Sequence, residues 1–171
     1  QAVDDAKPIA VKAGEDAAND AKSEGKTPSE QAAAAGEAAA QELIDAGASS
    51  QDAIDAAVAA AEKAGGSLED RALAAGAAAA AHAKAAGDPV SDQADAALDA
   101  AAKVMLDGGA SEEDKKAVAS RAYQIASASG DSSAVDEKVD DVLKKLQAVD
   151  DAKPIAVKAG EDAANDAKSE G

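Results

Sequence analysis

The sequence predicts an all-α fold: an alanine-rich antiparallel bundle or array of helices, six or seven to each 146-residue tandem unit. Three observations carry that expectation. Aliphatic residues recur at helical spacing, helix-start and helix-stop residues punctuate the chain at regular intervals, and a 25-residue segment recurs without a single change. Ile54, Ala57, Val58 and Ala61 form one i, i+3, i+4, i+7 stripe, and Val139, Val142, Leu143 and Leu146 form another. Nothing alternates with period two for long enough to suggest a strand.

The elements follow in order from their punctuation. Residues 1–25 read as a first helix stopped at Gly25. Thr27-Pro28-Ser29-Glu30 then has the form of a capping box with proline at the first helical position, where its missing N–H costs nothing. Ser49 with Asp52, Ser67 with Asp70, Ser111 with Asp114 and Ser133 with Asp136 repeat that pattern with a shorter acid. Such an acid is a weaker reciprocal cap, but its charge still suits a helix N-terminus. Asp88-Pro89 supplies one more start. Gly25, Gly47, Gly65-Gly66, Gly87, Gly108-Gly109 and Gly130 precede these starts, and glycine is the residue that most readily takes the left-handed conformation ending a helix. Caps at Thr27, Ser49, Ser67, Asp88, Ser111 and Ser133 leave room for helices of about 16 to 20 residues, about 24 to 30 Å long. Turns of a few residues make neighbours antiparallel.

Residues 1–25 recur as residues 147–171, an offset of 146. Surface positions drift freely, so unchanged identity over 25 positions points to recent tandem duplication in a longer array; the alternative is a copy appended to complete the fold. The domain reading is therefore one complete unit, 1–146, followed by the first segment of the next, 147–171. The junction lacks glycine. Asp150 or Asp151 can cap a new helix with Pro154 in its first turn, or the helix runs on with a kink at Pro154. A turn gives seven helices to a unit. Continuation, slightly favoured, gives a long helix shared between successive units, as in spectrin-like rods by analogy. In both cases the array extends rather than closing on itself.

The interior is unusual: 54 of 171 residues are alanine, against 11 Val, 7 Leu, 5 Ile, one Met and one Tyr, with no Phe, Trp or Cys. So few large aliphatics in so charged a chain fall in the range of disordered sequences, but the regular caps argue for an ordered, thinly cored bundle. Burying a methyl group is worth only about 0.8 kcal/mol. Stability must then draw on the helix propensity of alanine and on close approach of backbones, with Gly14, Gly36 and Gly76 expected at the closest contacts rather than at hinges.

Charge and composition exclude several functions. The formal net charge of -17 repels a polyanion, so no nucleic-acid partner is expected. No run of 18 apolar residues occurs, Ala77 to Ala81 being interrupted by His82 and Lys84, so no membrane insertion is expected. Without cysteine there is no disulfide framework or thiolate metal site. His82 is the one histidine, too little for a metal site or a Ser-His-Asp triad, and reads as structural or exposed. Tyr123 shares a helical face with Val118, Ala119, Ala122 and Ala126 and reads as a core or groove aromatic. The pairs Asp4-Asp5, Glu112-Glu113 and Asp140-Asp141 suit helix starts and polar faces. The nearest approach to a calcium loop, Asp131 to Glu137, has Val135 where a ligand should be. No catalytic, cofactor-binding or metal-ligating residues, no cofactor and no small-molecule substrate are expected, and the chain is not read as an enzyme.

Three roles fit what is left. The first is a spacer or extender in a large tandem-repeat, adhesin-like protein, extracellular or on a cell surface, with neighbouring units of its own chain as partners; the sequence leaves a cytoplasmic address open. The second rests on the face Ala32, Ala35 and Ala39, which resembles the alanine face of helical fish antifreeze proteins and implies ice binding; those proteins repeat Thr every eleven residues, whereas Thr27 stands alone here. The third rests on Val11 to Ala18, which resembles the elevenmers of late-embryogenesis proteins over that one segment and implies a desiccation protectant. An acidic surface of 22 Asp and 12 Glu also suits a salty medium, which screens its self-repulsion.

Overall fold

A computed structural model describes residues 2–127 and 135–148. Seven helices and no strand appear among them: α1 (Ala2–Ser23), α2 (Pro28–Asp45), α3 (Ser50–Lys63), α4 (Leu68–Ala86), α5 (Val90–Asp107), α6 (Glu112–Ser127) and α7 (135–148). The expected cap at Ser133, the stop at Gly130 and the junction from Val149 onward lie outside the described residues.

The helix starts behave largely as their residue types dictate. Thr27 Oγ1 accepts from the Glu30 N–H, and the Glu30 carboxylate accepts from the Thr27 N–H at 2.8 Å, a complete capping box. Ser67 and Asp70 form a second complete box, with the Ser67 N–H donating to the carboxylate at 2.9 Å; the shorter acid reaches where a weaker reciprocal cap was expected. Ser49 and Ser111 accept from the N–H groups of Asp52 and Asp114, both at 3.2 Å. One start needs correction. The cap of α5 is Pro89 rather than Asp88, and it has no side-chain cap bond. Asp88 is instead drawn into the end of α4, where its N–H donates to the Ala83 carbonyl at 3.0 Å.

The helix ends share one device. Gly47 has φ +72°, which lets the Ala48 N–H reach back to the Leu43 carbonyl at 2.9 Å, the wrap-around bond that closes a helix C-terminus. The same geometry recurs after α1, α3, α4 and α5, at Gly25, Gly65, Gly87 and Gly109. Each connection is thereby reduced to a few residues, and successive helices pack as antiparallel neighbours.

Packing runs beyond neighbours in a regular way. α2 also packs on α4, and α4 on α6, so the even helices form one layer. In the other layer α1 lies beside α3, joined by Lys7–Asp52 at 3.6 Å and by the Lys63–Glu15 pair. α7 lies against α5 and α6, with Val135, Val139 and Leu143 meeting Leu98, Ala102 and Ala119. The sequence order is thus laid out in space, with α1 at one edge and α7 at the other.

The expected close contacts are real. A Cβ on Gly14 would stand 2.9 Å from the Ala60 Cβ and 3.0 Å from the Ala35 carbonyl oxygen. On Gly36 it would stand 2.8 Å from the Ala74 Cβ, and on Gly76 2.9 Å from the Ala97 carbonyl oxygen. Real side-chain carbons do not approach so closely. These glycines therefore mark helix–helix seams, not hinges.

Pro8 settles a related point for the first copy of the repeat. It lies inside α1, and the helix continues through it from Ala2 to Ser23. At the other edge α7 runs past Leu146 to residue 148, the equivalent of Ala2.

Candidate functional site

The chemistry-bearing side chains are mostly committed to the fold. His82 is partly buried, and its Nε2 lies 3.2 Å from the Ala48 carbonyl oxygen, tying α4 to the α2–α3 turn. Tyr123 packs against the α5–α6–α7 core, with Lys138 Nζ 5.2 Å above its ring. The same ammonium donates to Asp95 at 2.6 Å, a bond that raises the Lys138 pKa. Lys115 is buried, and its ammonium donates to Glu112 at 2.6 Å.

The carboxylate pairs divide in the same way. Asp4 lies 4.0 Å from Lys7 in the first turn of α1, and Glu112 and Glu113 open α6. Asp140 pairs with Lys116 at 2.7 Å, and that hydrogen bond holds its carboxyl below the usual range. Among the described residues no group of three or more His, Asp or Glu side chains is arranged to hold a metal ion. Residues 131–134 of the candidate calcium loop are outside the described residues. No helix of the described residues is long and apolar enough to cross a membrane.

A broad concavity lies where the odd-numbered layer opens between α3 and α5. It is a groove of about 920 Å³, floored by α4 and α5 and walled by α3 and α7. Ile54, Val58, Val104, Val142 and Leu146 line it, all partly exposed. Charges of both signs rim it, among them Asp95, Asp99, Lys103, Lys138 and Lys145. Asp99 stands exposed at the rim, where partial desolvation raises its pKa, the Asp95 charge adds to the rise, and Lys145 opposes it. Arg71, on α4 in the floor, pairs with Glu62 at 3.5 Å and keeps a buried Nε without a hydrogen-bond partner. Sequence reading missed this groove. Its one advance signal was that Ile54 and Val58 lie at the edge of their helical stripe, while Ala57 and Ala61 lie at its fully buried centre.

A second, smaller groove of about 600 Å³ runs along the seam of α1 and α3, with Val11, Glu15, Ala18 and Lys63 on its walls. The alanine face singled out on α2 is not a surface. Ala32, Ala35 and Ala39 are at most 1% exposed and pack against neighbouring helices.

No protein-family model, no curated protein and no solved structure matches this chain.

Proposed function

We propose that the 146-residue unit is a structural spacer of a larger tandem-repeat protein, extracellular or at a cell surface, which contributes length and mechanical compliance without catalysis. The observation that carries this reading is the recurrence of residues 1–25 as 147–171, taken with where those residues sit in the first unit. There they form an edge helix, and the repeat begins again at residue 147, within the described helix at the opposite edge. Units so joined add to one another instead of wrapping a common core. Contacts are between near neighbours in sequence, which favours fast refolding after extension.

The test is to express arrays of one, two and four units and measure their largest dimension by small-angle X-ray scattering. A spacer lengthens by a constant increment per unit. A dimension that instead grows as the cube root of mass would refute the reading. Pulling on the four-unit array should give repeated rupture at modest force with rapid refolding, and a high, brittle rupture would argue against compliance.

A further inference from the structure

The surface that α2 and α3 present to α1 recognises a particular set of side chains. α1 buries Ala6, Ala10 and Ala21 there, brings Gly14 against Ala60 and the Ala35 carbonyl, and pairs Lys7 with Asp52 and Glu15 with Lys63. The close approach at Gly14 makes the fit selective, because any larger residue there meets Ala60 and backbone. Every one of these side chains occurs twice in the chain. Ala152, Ala156, Ala167, Gly160, Lys153 and Glu161 stand at the same relative positions in residues 147–171. One α2–α3 surface thus has two equivalent suitors in each molecule.

We infer that residues 147–171 form a docking element for the α2–α3 surface of a second copy of this chain, in place of that copy's own α1. Reach decides between the molecule's own surface and another's. α1 and α7 lie at opposite edges of a four-helix layer, three helix spacings or about 25 to 30 Å apart. The ion pairs Lys7–Asp52 and Glu15–Lys63 show α1 running parallel to α3. Asp95 facing Lys138 and Asp99 facing Lys145 show α7 running parallel to α5, so the chain beyond residue 148 must also return the length of the bundle to enter its own slot. Only residues 149–151 lie between the last described residue of α7 and the position equivalent to Ala6, and three residues reach no further than about 10 Å in any conformation. The molecule's own surface is out of range. A neighbour's is not, and because donor and acceptor lie on opposite edges the contact is head-to-tail and repeats without closing. This inference rests on the repeated segment and not on the spacer role; its failure would leave the array-length test untouched.

In the unaltered chain α1 holds its slot with the advantage of being tethered, an effective concentration in the millimolar range. The test therefore weakens the tethered copy alone. Sedimentation velocity over a range of concentrations compares the full 171-residue chain with Gly14→Leu, Gly160→Leu and the double variant. Gly14→Leu is expected to give a concentration-dependent ladder of dimers and longer chains. The unaltered chain, Gly160→Leu and the double variant are expected to remain monomeric at micromolar concentration. Equal masses for Gly14→Leu and the double variant, whether both monomeric or both associated, would overturn the inference. If circular dichroism shows Gly14→Leu unfolded, Glu15→Lys replaces it. That variant sets two lysines together at the α1–α3 contact and leaves Glu161 in the tail, and its masses with and without Gly160→Leu are read by the same rule.

Discussion

The two halves of this molecule hold themselves together by different means. In α1 to α4 the buried side chains are alanines, with Leu43 the one large aliphatic among them, and glycines at 14, 36 and 76 bring backbones together. From α5 to α7 buried alanines such as Ala97, Ala101 and Ala119 are joined by six large residues, Leu98, Met105, Val118, Val135, Val139 and Leu143, with Tyr123 at the margin. A core of large residues gains free energy from area removed from water. A core of alanines gains less per residue, but its helices need little ordering entropy and its backbones lie close enough for dispersion to accumulate. The two cores should therefore fail in opposite ways, the second when atoms are removed and the first when atoms are added.

The largest effect is expected in the second half. Leu98→Ala, at a position 1% exposed, should destabilise the fold by about 2 to 5 kcal/mol in denaturant melts, through lost transfer energy and the cavity left behind. A loss below 1 kcal/mol would mean that this core is no better filled than the first. Next come the caps. Thr27→Ala removes the hydroxyl that accepts from the Glu30 N–H, leaves the Glu30 bond to the backbone N–H, and should cost about 1 kcal/mol; Ser49→Ala, which loses the equivalent bond from the Asp52 N–H, should cost about as much.

Electrostatic effects are smaller and should be spread over both halves. With a net charge of -17, stability should rise with NaCl, since screening relieves self-repulsion by more than it weakens exposed ion pairs. Melting temperatures that stay level or fall with salt would remove that argument. The pH dependence has two parts. Hydroxyl and backbone hydrogen bonds from Thr27 hold Glu30 below its usual pKa, and the Ser49 hydroxyl does the same for Asp52. Burial pushes Asp70 up, but bonds from Ser67 outweigh it, and the Lys116 bond lowers Asp140. Lowered carboxyls stabilise the fold above their unfolded pKa values and lose that contribution as pH falls through their folded ones. Melts should therefore worsen below about pH 4. Asp99 has the opposite sign. Its raised pKa favours the fold when protonated and disfavours it once ionised, so Asp99→Asn should raise the melting temperature slightly at pH 7, and a fall would place its charge in a favourable contact.

Much of this architecture was legible in the sequence because it is encoded locally. A serine or threonine cap, an acid three residues on and a glycine at the end each act within one turn, so helix number and order could be read directly. Gly14, Gly36 and Gly76 were also readable, since a glycine in the middle of a helix otherwise only destabilises it. The Asp88 start was misread by one residue because Asp88 satisfies the end of α4 instead of the beginning of α5. What could not be read was the relation between layers. Ile54 and Val58 look like core residues by spacing, and only the gap between α3 and α5 leaves them lining a groove. The face Ala32, Ala35 and Ala39 could equally have been surface or seam, because alanine is at home in both.

The claim that glycine and alanine seams set the packing of the first half is tested most directly by a double-mutant cycle at one seam. A Cβ on Gly36 would stand 2.8 Å from the Ala74 Cβ and 3.2 Å from the Ala57 carbonyl oxygen. Gly36→Ala, Ala74→Gly and the double variant are compared in urea melts. Gly36→Ala should destabilise by about 1 to 3 kcal/mol despite the better helix propensity of alanine, and Ala74→Gly should cost about 1 kcal/mol. The double variant should lose clearly less than their sum, because removing the Ala74 methyl makes room for the new one. If Gly36→Ala instead stabilises the protein, or the two changes simply add, the helices are not held at that distance by their small side chains and the account fails.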